Sequence, residues 1–375
     1  MLACLYGYVS VPILPVSLEM GSNFPIDVKI QKRHSIRFVF YVKPISFMDA
    51  QLLSSACTLY NTSPDLLIPL SGGHYNAVYQ FPRGEKSAIL RIGVEDCPRE
   101  QTLGMLEWVR FLSDEGAPVT APLPSINDRL LENLMHYGIR YTLTAFEKAD
   151  GTLAENVPSS EWTDELFRSI GMAAGKLHAI SKHYRPSRLS LTRPQWFDSY
   201  EIHEATDLLA ASADPAREKL ATLIAELHCL PFSSIDFGLI HDDLHYANFL
   251  IHPDGSVTII DFDDCVYGWF AMDVSMALFD VLVLYNAPNE KESQHFAQRF
   301  IINYLSGYRQ ENNLSLFWQS QLPRFLKLKE LCIYATLIDH QDVTLPDSWV
   351  GRFMRDRSTR IANDLPYVDV DFTAL

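Results

Sequence analysis

Between His241 and Asp273 the chain carries aspartates at 242, 243, 254, 261, 263, 264 and 273 and no lysine, arginine or glutamate. If these carboxylates converge, something other than a side-chain cation must neutralise them. Within the run, "HDDLHYAN" fits H-x-D-L-x-x-x-N, the spacing of a kinase catalytic loop, with Asp243 followed five residues later by Asn248. A turn, "HPDG", and a strand, "SVTII", then lead to "DFD", which begins at Asp261. Phosphoryl transfer needs one carboxylate to accept the proton of the attacking hydroxyl, and oxygen ligands that hold Mg²⁺ against the nucleotide phosphates. Asp243 is the candidate for the first task; Asn248 and Asp261 are candidates for the second. The neutralising cations are then bound Mg²⁺ ions. His241 is a further catalytic candidate whose alternative part is to brace the loop through hydrogen bonds, and His245 reads as structural.

The nucleotide side lies upstream. In "LSGGHYNAVYQF" Gly72 and Gly73 lack a Cβ and let the backbone approach a phosphate closely, and Asn76 lies in the same candidate phosphate-covering hairpin. A glycine pair is also common in ordinary turns. Arg91, in "AILRI", occupies the position of Lys in V-A-I-K, where a forked guanidinium can grip phosphate oxygens; the plainer reading is an exposed strand arginine. Phe146 and Glu147, at the end of "LTAFE", fall where the chain would pass between lobes and its backbone would meet the adenine.

These residues need particular elements to position them. "LLIPL", "YNAVYQF" and "SAILRIGV" are separated by glycine turns and read as an antiparallel meander over 66–94. A helix follows in "REQTLGMLEWVRFLSDEG", closing at Gly116; prolines 118, 122 and 124 keep the next stretch extended; "RYTLTAFEKADG" is one more strand. Beyond residue 150 the period changes. Leu166, Ile170, Ala173, Leu177 and Ile180 recur at helical steps, and helical patterns fill 198–230 and most of 272–365. The expected fold is α+β and bilobal, a small antiparallel-sheet lobe over 48–147 and a larger helical lobe over 148–375.

"SGGHYNAVYQF", "AILRI", "FEKADG", "GKLHAISKHYRPS", "LIHDDLHYANFLI" and "IDFDDCVYGWFAMD" together resemble the aminoglycoside phosphotransferase and choline kinase superfamily over about residues 66–365. The resemblance implies a protein-kinase-like fold, ATP or GTP as donor, Mg²⁺ and a small-molecule hydroxyl as acceptor. It places the base on Asp243, the metal ligands on Asn248 and Asp261, and the phosphate contact on Arg91; Asp273 would brace the catalytic loop. Two positions depart from the pattern. Asp242 replaces the usual glycine of the loop, and the helix position that should hold a glutamate for Arg91 carries Met105, with Glu107 about 200° away around the helix and Glu100 further upstream. These departures favour the alternative reading, a nucleotide-binding pseudokinase acting as sensor or scaffold. A metal-dependent hydrolase using His241, Asp243 and His245 is a third, weaker reading.

Composition sets the outer bounds. The 375 residues suffice for two lobes, and a net charge of −15 argues against a nucleic-acid partner while suiting an amine-bearing alcohol such as an aminoglycoside or amino sugar. Six cysteines without CxxC spacing suit a reduced, cytoplasmic protein. The apolar start is broken by Pro12 and Pro15 and has no Lys or Arg before Lys29, a poor signal peptide and a poor membrane span. Residues 1–47 read either as an arm on the small lobe or as sequence preceding a native start at Met48. Oligomeric state and the acceptor's identity are not legible.

Overall fold

The computed structural model describes residues 48–374 apart from 71–75, 96, 211 and 346–347. The expectations for residues 1–47 and for Gly72 and Gly73 therefore lie outside the described residues.

The small lobe opens with α1 (Ala50–Leu59), whose N-terminus is capped by Asp49 accepting from the Gln51 N–H at 2.8 Å. The meander follows as β1 (Ile68–Leu70), β2 (Asn76–Arg83) and β3 (Lys86–Val94), and then α2 (Arg99–Asp114). Three more strands, β4 (Pro122–Leu123), β5 (Glu132–His136) and β6 (Ile139–Glu147), complete a six-stranded antiparallel sheet in which β3 pairs with both β2 and β6. Alternate residues of β2 and β3, Ala77, Tyr79, Phe81, Ala88, Leu90 and Ile92, form the lobe's own core against α1. Sequence analysis did not identify β5. Its residues do not alternate cleanly, and it is held by a tight hairpin in which Tyr137 and Gly138 both take positive φ, 47° and 76°.

The large lobe begins with β7 (Thr152–Leu153) and α3 (Asp164–Ser181). The helical pattern over 198–230 resolves into α4 (Tyr200–Ala210) and α5 (Ala216–Leu227), with Pro215 at the start of the second. Four short strands follow: β8 (Phe237–Ile240), β9 (Phe249–Ile251), β10 (Val257–Ile259) and β11 (Val266–Trp269). The β9–β10 hairpin, with Ile259 opposite Phe249, carries the chain from Asn248 back to Asp261. Helices α6 (Phe270–Tyr285), α7 (Glu290–Tyr308), α8 (Leu316–Leu337), α9 (Trp349–Met354) and α10 (Arg357–Ala362) close the lobe.

Two packings position the site. Helices α3 and α7 meet at glycines: a Cβ on Gly171 would overlap the Tyr304 carbonyl oxygen, one on Gly307 that of Arg168, and one on Gly175 would come within 2.6 Å of the Tyr308 oxygen. Helix α2 follows the small lobe's meander in sequence, but its buried face, Met105, Leu106, Trp108, Val109 and Leu112, joins the core of the large lobe. There Trp108 meets Phe262 of the DFD turn edge-on, ring centroids 5.4 Å apart.

Candidate active site

The catalytic loop, residues 241–248, hangs from one buried helix face. In the otherwise apolar α6, Asp273 and Asp280 lie two turns apart and are 0% and 1% exposed. Asp273 accepts from the N–H groups of His241 and Asp242, both at 2.8 Å, and Asp280 accepts from the Tyr246 N–H at 2.8 Å. Asp273 is itself gripped by His178 of α3 at 2.9 Å. Asn312 donates to the Tyr308 hydroxyl, which lies 2.9 Å from His178 Nδ1, so the consistent assignment has Tyr308 donating to Nδ1 and His178 Nε2–H donating to Asp273. The bracing expected of Asp273 is present; Asp280 and His178 were not singled out from the sequence. Burial pushes the Asp280 carboxyl up, with His245 opposing. The signal that could have found both aspartates is a pair of carboxylates seven residues apart in a helix with no other charge.

Within the loop His241 acts as a brace. Its Nδ1 accepts from the Asp243 N–H at 3.3 Å, its Nε2 lies 3.0 Å from the Ile260 carbonyl, and its ring packs on Phe262 at 4.6 Å. Both ring nitrogens are engaged in holding the loop against the strand that ends at Asp261. His245 has a more direct part. Its Nδ1 accepts from the Ala247 N–H, which leaves the proton on Nε2, 3.1 Å from Asp243 Oδ2. Asn248 Nδ2 donates to the Asp243 carbonyl at 2.9 Å and lies 3.3 Å from Oδ2. Asp243 Oδ1 is buried without a partner among the described residues. Burial disfavours ionisation of Asp243, but the hydrogen bond from His245 and the charge of Lys329 oppose it, and the carboxyl is held below the usual range. The residue is thus a charged acceptor with one oxygen fixed and the other buried without a partner among the described residues.

The two expected metal ligands, Asn248 and Asp261, stand at the two ends of the β9–β10 hairpin. Turning Nδ2 inward leaves Asn248 Oδ1 as its remaining polar atom, and the Ile260 N–H bond to the Asn248 carbonyl, 3.0 Å, ties loop and strand end together. Asp261 has φ 65° and opens onto the cleft with 41% of its side chain exposed. The protein crowding it still raises its pKa by desolvation, with Asp263, Asp264 and Asp243 adding and Arg91 opposing. Among the described residues no three His, Cys, Asp or Glu side chains gather as a ready-made metal cage. A divalent ion here would rest on one amide oxygen, one carboxylate and phosphate oxygens, which suits Mg²⁺.

Arg91 spans the cleft from β3. It lies 3.5 Å from Asp261, is paired through both guanidinium nitrogens with Asp263, and sits 5.9 Å from the Phe146 ring centroid. Met105 is buried, and Glu107 turns away to accept from the Tyr184 hydroxyl at 2.7 Å and from the N–H and hydroxyl of Ser187. The cation that a helix glutamate would have held is held by the DFD turn. Asp263 was part of the quoted motif but had no role assigned. Arg193, which no motif in the sequence marks, clamps the same turn, donating to the carbonyls of Asp263 at 2.7 Å, Cys265 at 2.8 Å and Gln101 of α2 at 3.1 Å. Asn76 starts β2 opposite Gly93. Phe146 and Glu147 end β6, where the Glu147 N–H is already bonded to the Ala121 carbonyl at 2.8 Å and is not open to a purine.

Beside Asp242 lies a small enclosed pocket between α4, α6 and α8, lined by Glu201, Met272, Met276, Phe325 and Lys329. Both Glu201 oxygens lie 3.0 Å from Lys329 Nζ. Burial works against the charge of Lys329, yet Glu201, Asp243 and Asp242 raise its pKa. Asp242 is driven well above the usual carboxylate range by burial, with Glu201, Asp273 and Asp264 adding and Lys329 opposing.

Residues 67–313 match the profile described as the phosphotransferase enzyme family. The chain belongs to that family. Amicoumacin kinase of Bacillus subtilis (strain 168) is 31% identical over 336 residues, spanning 88% of this chain and 96% of that protein. The solved amicoumacin kinase hAmiN, in complex with AMP-PNP, Ca²⁺ and Ami, superposes with a TM-score of 0.77 at 29% identity, covering 88% of this chain and 97% of that one. A microcompartment-associated aminopropanol kinase shares the fold, with a TM-score of 0.62 at 23% identity over 84% of this chain and 99% of its own. The family member described here has the bilobal protein-kinase-like fold and is a phosphotransferase of the small-molecule kinase type. No helix among the described residues is long and apolar enough to cross a membrane.

Proposed function

We propose that this phosphotransferase moves the γ-phosphoryl of ATP, held with Mg²⁺, to a hydroxyl of an amine-bearing small molecule, with Asp243 as the base. The observation that carries the reading is the buried, unpartnered Oδ1 of Asp243 on a carboxylate whose other oxygen is fixed by His245. An acceptor hydroxyl at that oxygen meets a group already ionised and already desolvated, so no solvent rearrangement precedes proton transfer. Arg91 would take the nucleotide phosphates, and Asn248 and Asp261 the metal, which supplies charge neutralisation of the triphosphate when bound. Residues 48–147 serve as the nucleotide lobe and 148–375 as the lobe that carries the catalytic loop and selects the acceptor. The likeness to amicoumacin kinase supports an amine-bearing acceptor. Cys57, Cys229, Cys265 and Cys332 are free thiols, which supports a reduced, cytoplasmic setting.

The test is nucleotide consumption with Mg²⁺ against amicoumacin and a panel of amino alcohols, with Asp243→Asn beside the wild type. Turnover of a confirmed acceptor should fall by about 10²–10⁴ in the variant while nucleotide affinity holds. Wild-type turnover by Asp243→Asn would exclude the assigned base. The pairing of Arg91 with Asp261 and Asp263 favours one second reading, a nucleotide sensor without turnover. It gains if no acceptor is consumed while Asp261→Asn still weakens Mg²⁺-dependent nucleotide binding.

A further inference from the structure

On the side of α2 away from Trp108 lies a second cavity, of about 450 Å³, that contains none of the residues assigned above to catalysis, metal or nucleotide. Arg99, Leu103, Glu107 and Arg110 of α2 form one wall; Arg129, Leu130 and Leu131, before β5, form another; Arg188 and Leu191, after α3, complete it. Four arginines face one carboxylate in a protein of net charge −15.

That carboxylate does not use the surplus. Glu107 already accepts from Tyr184 and twice from Ser187, and although desolvation opposes it, these bonds and the charge of Arg188 hold its pKa down. Arg99 is oriented by Asn133 and by the Leu131 carbonyl at 3.4 Å, so its guanidinium is held in place rather than loose in solvent. Arg129 and Arg110 contact Glu132 at 3.7 Å and Asp114 at 3.8 Å, single long contacts that leave most of each guanidinium's donors uncommitted. The leucines supply an apolar floor in which Leu131 and Leu191 are buried. A cavity of this size with apolar walls and a few convergent cations suits a small organic anion, and forked guanidiniums suit phosphate best.

We propose that this cavity is a binding site for a phosphomonoester with an apolar body, separate from the catalytic cleft. Helix α2 joins the two places. Its cavity face carries Arg99, Glu107 and Arg110, while Trp108 packs on Phe262 of the DFD turn and the Gln101 carbonyl is tied to the same turn through Arg193. Occupancy is therefore coupled to the hold on Mg²⁺–nucleotide, reciprocally.

Phenyl phosphate is the probe, titrated by calorimetry into full-length protein saturated with AMP-PNP and Mg²⁺ so that the cleft is filled. Binding with a Kd on the order of 1 mM or tighter is expected, with inorganic phosphate weaker for want of the apolar body. Arg129→Ala with Arg188→Ala, two side chains at the solvent edge, should weaken it by about tenfold or more while melting temperature and AMP-PNP affinity without the probe stay at wild-type values. A separate titration of Mg²⁺–AMP-PNP should give a different affinity with and without phenyl phosphate in the wild type only. No binding, or equal binding by the double variant, overturns the site. Equal affinity for phenyl phosphate and inorganic phosphate removes the apolar body from the assignment, and unchanged AMP-PNP affinity removes the coupling.

Discussion

His245 bears on the charge state of Asp243, the proposed base. Asp243 is buried, which alone would raise its pKa, and it is His245, with Lys329, that turns the shift downward. A group with a depressed folded pKa is ionised throughout the range above it. Its contribution to stability is present above the ordinary aspartate value of about 4 and is lost only as pH falls through the lower folded value. His245→Gln leaves burial in command, so the acid limb of kcat should move to higher pH than in the wild type. A pH–rate profile of the two proteins checks this, and superimposable acid limbs would exclude the role. At this scale the sequence was informative where chemistry is written in short spacing: Asp243 and Asn248 share one loop, and a single hairpin leads from Asn248 to Asp261. Glu201 and Lys329, 128 residues apart, share no spacing that could reveal their pairing. Asp263 was visible in the motif, but its hold on Arg91 depends on where β3 lies across the cleft.

Helices α3 and α7 approach closely enough at Gly171, Gly175 and Gly307 to let Tyr308 reach His178, and through it Asp273 and the loop. Gly171→Ala should separate the two helices and destabilise the fold by about 1–3 kcal/mol, the usual effect of overpacking, offset in small part by alanine's better helix propensity. Denaturant midpoints measure it, and turnover should fall with the loosened loop; unchanged stability would show that the crossing has slack. Asp273→Ala strands the N–H groups of His241 and Asp242, roughly 1–3 kcal/mol for each buried donor left unmade. Helix α3 was legible because its apolar stripe repeats at helical steps. Strand β5 was not, because its register is set by the hairpin turn and by β6 rather than by its own pattern. The single stretch expected over 198–230 divides at Pro215, a local signal that the longer apolar pattern obscured.

Across the whole molecule an ion pair joins the two lobes. Arg91 belongs to the small lobe, Asp261 and Asp263 to the large one. A triphosphate arriving without metal faces those carboxylates unshielded, whereas with Mg²⁺ both sides of the pair find new partners. ATP should therefore raise the melting temperature only slightly in EDTA and clearly with Mg²⁺, where saturation at 100 times Kd corresponds to about 2.7 kcal/mol. Equal shifts in the two conditions would count against Asn248 and Asp261 as ligands. The bilobal plan was readable from the change of hydrophobic period near residue 150, but the membership of α2 in the large-lobe core was not, since order along the chain placed it with the strands. Asp263 occupies Arg91 much as a tethered inhibitor occupies its target. Its local concentration is fixed by the fold and cannot be diluted away. Freeing Arg91 from that internal competitor, by Asp263→Asn, should let nucleotide bind more readily when metal is scarce and so blur the distinction between a lone triphosphate and its magnesium complex.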